Sequence, residues 1–232
     1  MLALVAGCCS TREYAGFFNT RTAARDARRY RRRGLRGTAR ELVELAGDVT
    51  DATVLDIGGG IGSIELELLA AGAATATSVE LSDAYEGEAA ALLAERGLAK
   101  RVERRVADFV VEAASLGPHD IVVLHRVVCC YPDADALVAS AAGHTRRRLL
   151  LTYPQERRTI RVAARAANAA LRLVGSAFRA YVHPVARIAA AAGECGLTLE
   201  RRFRHGLVWE TAVFYTLDES ALSRYERRAL VR

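Results

Sequence analysis

This 232-residue chain is short of several things, and each shortage closes off a class of protein. No apolar run approaches the roughly 20 residues that a membrane-crossing helix needs, so no span is expected. The opening Met-Leu-Ala-Leu-Val-Ala-Gly-Cys8 ends like a lipoprotein cleavage box. It has no basic residue ahead of a very short apolar stretch, so export is not expected either. The five cysteines are two adjacent pairs, Cys8-Cys9 and Cys129-Cys130, and the single Cys195. Vicinal cysteines rarely bond to each other and the count is odd, which excludes a disulfide framework and fits a reducing cytoplasm. No Cys-x-x-Cys spacing offers a structural zinc site, and no metal is expected. Lysine is almost missing: Lys100 stands alone, and the net charge of +6 is carried by arginine. That balance permits an anionic partner without demanding one. The arginine and alanine richness reads as a GC-rich, bacterial coding bias.

What is present describes a folded α/β protein. Hydrophobic residues make up 51% of the chain and charged residues 26%, enough core and too little charge for disorder. After a leader over 1–20 comes a helix over 20–33 dense in arginine (Arg21, Arg25, Arg28, Arg29, Arg31, Arg32, Arg33). Gly34 and Gly37 break it. Thr38, with Glu41 three residues on, has the spacing of a capping box for a second helix. Strands then alternate with helices: 53–57, 75–80, 101–106, 120–124 and 147–152, with helices over 61–71, 83–96 and 133–142. Alternation of this kind predicts a parallel, doubly wound sheet. A helix over 156–175, with Ile160, Ala164, Ala167, Leu171 and Val174 on one face, a shorter helix from His183, and a hairpin pair over 197–204 and 207–216 complete the pattern.

The organising stretch is Thr53 to Gly62, Thr-Val-Leu-Asp-Ile-Gly-Gly-Gly-Ile-Gly. A buried strand runs into a turn where Gly58, Gly59, Gly60 and Gly62 let the backbone approach a ligand closely. A dinucleotide site would want its third glycine at position 63, which is Ser63. Instead the spacing is Gly58-x-Gly60-x-Gly62, with Asp56 two residues ahead. This resembles motif I of the class I S-adenosylmethionine (SAM)-dependent methyltransferases, and the likeness extends over about 20–216. The closing helix and antiparallel strand pair also resemble that family. In layout the chain is similar to bacterial small-molecule enzymes grouped near magnesium-protoporphyrin O-methyltransferase.

The resemblance implies a Rossmann-like seven-stranded sheet with an N-terminal helical cap. It divides the chain into a leader and cap over 1–46, a SAM-binding domain over 47–217 and a tail over 218–232, with 156–182 over the acceptor pocket. SAM is the implied cofactor and S-adenosylhomocysteine (SAH) the product. Asp56 would lie near the methionine amino group. Glu80, ending the second strand, would accept from both ribose hydroxyls, with Leu81 beside it; an acid there also complements the dipole of the following helix. Asp108 would take the adenine amino group, and Phe109 would pack on the ring. His125, at the carboxyl end of the fourth strand, sits where cofactor and acceptor meet, as a general base or as a packing or cofactor contact.

Tyr14, Phe18, Cys129, Tyr131 and Arg161 are candidate acceptor contacts. The expected reaction is methylation of O, N or C on a small molecule, by a monomer or homodimer. Three alternatives stand beside it. An RNA methyltransferase would use the 20–33 arginines, although the segment after His125 lacks the Asn/Asp-Pro-Pro-Tyr run of many nucleic-acid amino-methyltransferases. A thiol or metalloid methyltransferase would bring the cysteine pairs together. A non-catalytic binding protein would keep the fold alone.

Overall fold

The computed structural model describes Tyr14 and residues 16–216; Cys8, Cys9 and the 218–232 tail lie outside the described residues. Five parallel strands alternate with helices: β1 (Thr53–Ile57), β2 (Thr75–Glu80), β3 (Val102–Val106), β4 (His119–His125) and β5 (Thr145–Pro154). The hairpin β6 (Leu197–His205) and β7 (Trp209–Thr216) adds two more. The sheet order is β3-β2-β1-β4-β5-β7-β6, with β7 antiparallel to both β5 and β6. This is the doubly wound, seven-stranded arrangement expected.

Central strands read as near-continuous apolar runs because both faces of the sheet are covered. In β4, Ile121 and Val123 face one core together with Val54, Leu150 and the helices α2 (Thr38–Leu45) and α3 (Ser63–Ala70). Val122 and Leu124 face the other core with Leu55, Leu149, α6 (Ala134–Gly143) and α8 (Val185–Glu194). Each of these four β4 side chains is 0% exposed, a burial worth about 1.5–3 kcal/mol apiece. The N-terminal helix α1 (Thr20–Arg33) is capped by Asn19, whose side chain accepts from the Thr22 N–H at 3.0 Å. It buries Ala23, Ala27 and Tyr30 and turns its arginines outward. Among the described residues the remaining α-helices are α4 (Glu86–Glu95), the single turn α5 (Phe109–Glu112) and α7 (Arg158–Leu173).

Three local expectations are corrected. The helix after β1 opens at Ser63, not Ile61, because Gly62 takes a left-handed conformation at φ 75° that a right-handed helix cannot contain. Thr38 is not an N-cap: Gly37 holds that position, with φ 56° and no side-chain cap. Thr38 and Glu41 instead serve tertiary contacts. The Thr38 Oγ1 meets His125 Nε2 at 3.0 Å and accepts from the Arg126 guanidinium at 3.2 Å. Glu41 accepts from Thr211 Oγ1 at 3.0 Å and pairs with His205. Finally, α7 does not submerge its apolar face: Ile160, Ala164 and Leu171 are half-buried, Ala167 and Val174 are exposed, and no residue of the helix is buried.

Candidate active site

The register of the first three strands sets Asp56, Ser78 and Arg104 side by side across β1, β2 and β3. α3 drops Glu65 onto that row. Arg104 donates to Glu65 at 3.0 Å, Glu86 at 2.8 Å, Ser78 Oγ at 3.1 Å and the Gly60 carbonyl at 2.9 Å. From the other side, the Gly60 N–H donates to Glu80 Oε2 at 2.9 Å, while Glu80 Oε1 accepts from the Ser82 N–H at 3.0 Å. The turn peptide at Gly60 is therefore held at both its polar groups by strand side chains.

Glycine is required here for measurable reasons. A Cβ on Gly58 would stand 2.6 Å from Val127 Cγ2, and one on Gly59 2.5 Å from Asp56 Oδ2. Asp56 is thus the floor under the turn, 0% exposed. Burial, followed by repulsion from Glu65, pushes its carboxyl well above the usual range. Burial likewise raises Glu65 to about 6, against the pull of Arg104. Glu80 is raised by burial, which the Ser82 and Gly60 N–H groups oppose.

Above the turn lies a cavity of about 640 Å³ at the carboxyl ends of the parallel strands. Gly58, Gly60, Glu80, Leu81, Asp108 and Phe109 all line it. His125, Tyr131, Tyr14 and Phe18 line it as well. Asp56 and Gly59 lie beneath the turn, and Gly62 starts the helix behind it. Cys129 is buried, 3.5 Å from Cys130 Sγ, and it is Cys130 that lines the cavity. Cys130 lowers the Cys129 thiol pKa against the effect of burial. Arg161 is on α7, paired with Glu156 at 2.6 Å.

Asp108 caps the turn α5 through the Val110 N–H at 3.0 Å and accepts from Tyr131 Oη at 3.0 and 3.1 Å. Tyr131 therefore ties this carboxylate to the loop after β4. Tyr14 and Phe18 are each tied to the strand side of the cavity. Ser82 Oγ donates to the Phe18 carbonyl at 2.8 Å, and Tyr14 Oη donates to the Cys130 carbonyl at 2.6 Å. Phe178 stacks on Phe17 at 4.3 Å and meets Tyr14 edge-on at 5.7 Å, completing an aromatic wall.

His125 is held neutral. Burial first, and the neighbouring Arg126 second, lower its pKa to about 3. An imidazole so weak in basicity is a poor proton acceptor near pH 7, which argues against the general-base option. Arg126 takes φ 61°, a left-handed conformation costing a non-glycine residue about 1–3 kcal/mol. Its guanidinium lies over the Trp209 ring at 4.4 Å. Among the residues that sequence reasoning missed, Thr22, Arg25 and Tyr85 also line the cavity, and Arg104 orders the turn. Nothing in Val102-Glu-Arg-Arg-Val106 distinguished the inward Arg104 from the outward Arg105. The signal available was indirect: three acids converging on one turn require a cation.

No family model matches the sequence, and no curated protein does. Solved structures match in fold. Magnesium protoporphyrin IX methyltransferase from Synechocystis PCC 6803, with bound SAM, is 21% identical at TM-score 0.66, over 91% of this chain and 99% of that one. An O-methyltransferase family protein from Burkholderia thailandensis is 18% identical at TM-score 0.66, over 90% of this chain and 64% of that one. One described as a putative sarcosine dimethylglycine methyltransferase from Galdieria sulphuraria is 14% identical at TM-score 0.61, over 76% of this chain and 83% of that one. The fold is thus the Rossmann-like fold seen in SAM-dependent methyltransferases.

Proposed function

We propose that the protein is a SAM-dependent methyltransferase acting on a small-molecule acceptor. The observation that carries this is that two acidic side chains, Glu80 and Asp108, line one cavity, beside a turn at whose Gly58 and Gly59 a Cβ would clash. An adenosine presents donors for both: two ribose hydroxyls and an exocyclic amine. Glu80 spends one lone pair of each oxygen on Ser82 and Gly60, leaving acceptor capacity facing the cavity. Leu81 and Phe109 supply apolar surface beside it. Residues 47–217 hold the cofactor, and the leader with 156–182 covers the acceptor.

When bound, SAM supplies a sulfonium-activated methyl group that passes to an acceptor atom as the acceptor loses a proton and SAH is left. The chain's own part is to align and enclose. The clamp at Gly60 fixes the turn, and the tied Tyr14 and Phe18 exclude water over it. His125, neutral and bonded to Thr38, acts as a hydrogen-bonding and packing group on the acceptor side. With a weakly basic His125, the favoured acceptors are those that lose a proton to solvent, such as an amine or an acidic hydroxyl. The aromatic wall of Tyr14, Phe17, Phe18 and Tyr131 fits an acceptor with an apolar body. We place the enzyme in a reducing bacterial cytoplasm, consistent with free Cys129, Cys130 and Cys195; among the described residues no helix is long and apolar enough to cross a membrane.

Calorimetric titration with SAM and SAH tests the reading. Saturable binding is expected in the wild type, with large losses in Glu80→Ala and smaller ones in Asp108→Asn. A folded wild type that binds neither compound would overturn it.

A further inference from the structure

We propose that the outward face of α7 is a docking surface for an anionic lipid bilayer, held flat against the membrane beside the mouth of the cavity. α7 is 16 residues long, about 24 Å at 1.5 Å per residue. Its protein-facing side is Ile160, Ala164, Asn168 and Leu171, all only half-buried. A surface helix ordinarily turns charge toward water opposite such a stripe. Here the opposite arc is Val162, Ala166, Ala169 and Leu173, spaced by four, three and four residues. Val162 is 62% exposed, Leu173 89%, and Val174, just past the helix end, 78%.

Charge is confined to one band beside that arc: Arg158, Arg161, Arg165 and Arg172. The helix contains no acid. Arg161 pairs with Glu156, whereas Arg158, Arg165 and Arg172 have no ion-pair partner among the described residues. An exposed apolar arc bordered by unneutralised arginine is the pattern of a helix lying in the membrane interface. Its apolar side chains enter the acyl boundary while the arginine stems extend to lipid phosphates. A second copy of the chain fits less well. A two-fold contact presents the same face twice, setting two arginine bands near each other with no acid on either helix.

The face is mechanically joined to the cavity. Asn168 exchanges two hydrogen bonds of 2.8 Å with the Ala180 backbone. Two residues earlier, Phe178 stacks on Phe17, which lines the cavity and is 44% exposed. A bilayer under α7 therefore adjoins the aromatic entrance, the position from which an acceptor with an apolar body would arrive. The proposal does not depend on the methyl-transfer reading, because its readout is lipid binding alone.

The test is sedimentation of the full chain with vesicles of phosphatidylcholine, or of an equal mixture with phosphatidylglycerol. The wild type is expected to bind the mixed vesicles and hardly the neutral ones. Val162→Glu with Leu173→Glu, both at exposed positions, should weaken binding about tenfold or more with an unchanged melting temperature. Arg165→Glu with Arg172→Glu should weaken it by about fivefold per residue. Failure of the wild type to bind mixed vesicles would overturn the proposal. So would undiminished binding by both α7 variants, or loss only on reversing Arg28 and Arg32 of α1. A concentration-dependent dimer dispersed by Val162→Glu with Leu173→Glu, without vesicle binding, would assign the face to a second copy instead.

Discussion

At the β1–α3 turn, Gly60 is gripped at its N–H by Glu80 and at its C=O by Arg104, and the acids beneath are sealed from water. By contrast, α7 buries no residue and leaves Val162 and Leu173 exposed on its outer arc. The two ends answer to different demands. The first must present one fixed backbone shape, so it accepts the cost of burying ionisable groups: three raised carboxyls and an arginine with its side chain 8% exposed. The second is tied to the fold by the Asn168–Ala180 hydrogen bonds and a half-buried stripe alone, so its outer arc is free of internal constraint.

The largest expected effect breaks the first end. Arg104→Met leaves Glu65 and Glu86 without their buried cation, and a broken buried pair costs about 3–5 kcal/mol. Urea unfolding should show that loss, and SAH binding should fall with it, because the Gly60 carbonyl is released. Stability within about 1 kcal/mol of wild type would show that the network is dispensable. Next is Glu80→Ala, which removes two charge-assisted acceptors facing the cavity and the partner of the Gly60 N–H. Calorimetry should show SAH affinity reduced about a hundredfold, with a smaller change in the urea midpoint. Equal affinity would separate Glu80 from the cofactor.

This division matches what was legible in the sequence. Alternation of strand and helix, the Gly58-x-Gly60-x-Gly62 spacing and the positions of Glu80, Asp108 and Phe109 were all readable, because each is fixed by local backbone needs or by the end of a strand. Thr38 and Glu41 misled for an instructive reason. Their spacing satisfies a local capping rule, yet His125, Thr211 and His205 offered tertiary partners that local sequence does not display. Arg104 was invisible in the same way: its role depends on the Asp56–Ser78–Arg104 register, which only strand pairing creates. In α7 the periodicity was correct and its meaning was not. Ile160, Ala164 and Leu171 face the protein, but Ala167 and Val174 do not follow them inward. An apolar stripe does not say how deep its helix lies.

A smaller effect sharpens the buried end through pH. Glu65 has a folded pKa of about 6 against 4.5 when unperturbed. Below pH 4.5 both states hold the proton and the group costs nothing. As pH rises through 4.5 to 6 the unfolded chain releases its proton first, so stability declines by about 2 kcal/mol. Glu65→Gln keeps an acceptor for Arg104 and cannot titrate. Its stability relative to wild type should therefore grow across pH 4.5–6 and level off above. His125 acts in the reverse sense, with stability lost as pH falls from 6.5 toward 3, but it is common to both proteins and cancels in the difference. A flat difference would mean that Glu65 is ionised in the fold throughout.

The smallest effect belongs to α7 and is a contrast within one helix. Leu171 is half-buried against the apolar core, while Leu173, two residues on, is 89% exposed. Leu171→Ala should cost about 1 kcal/mol, and Leu173→Ser should stay within about 0.5 kcal/mol of wild type, both read from urea midpoints without lipid. Should Leu173→Ser prove as costly as Leu171→Ala, α7 packs inward more deeply in solution, and the division between a sealed turn and an outward-facing cover would dissolve.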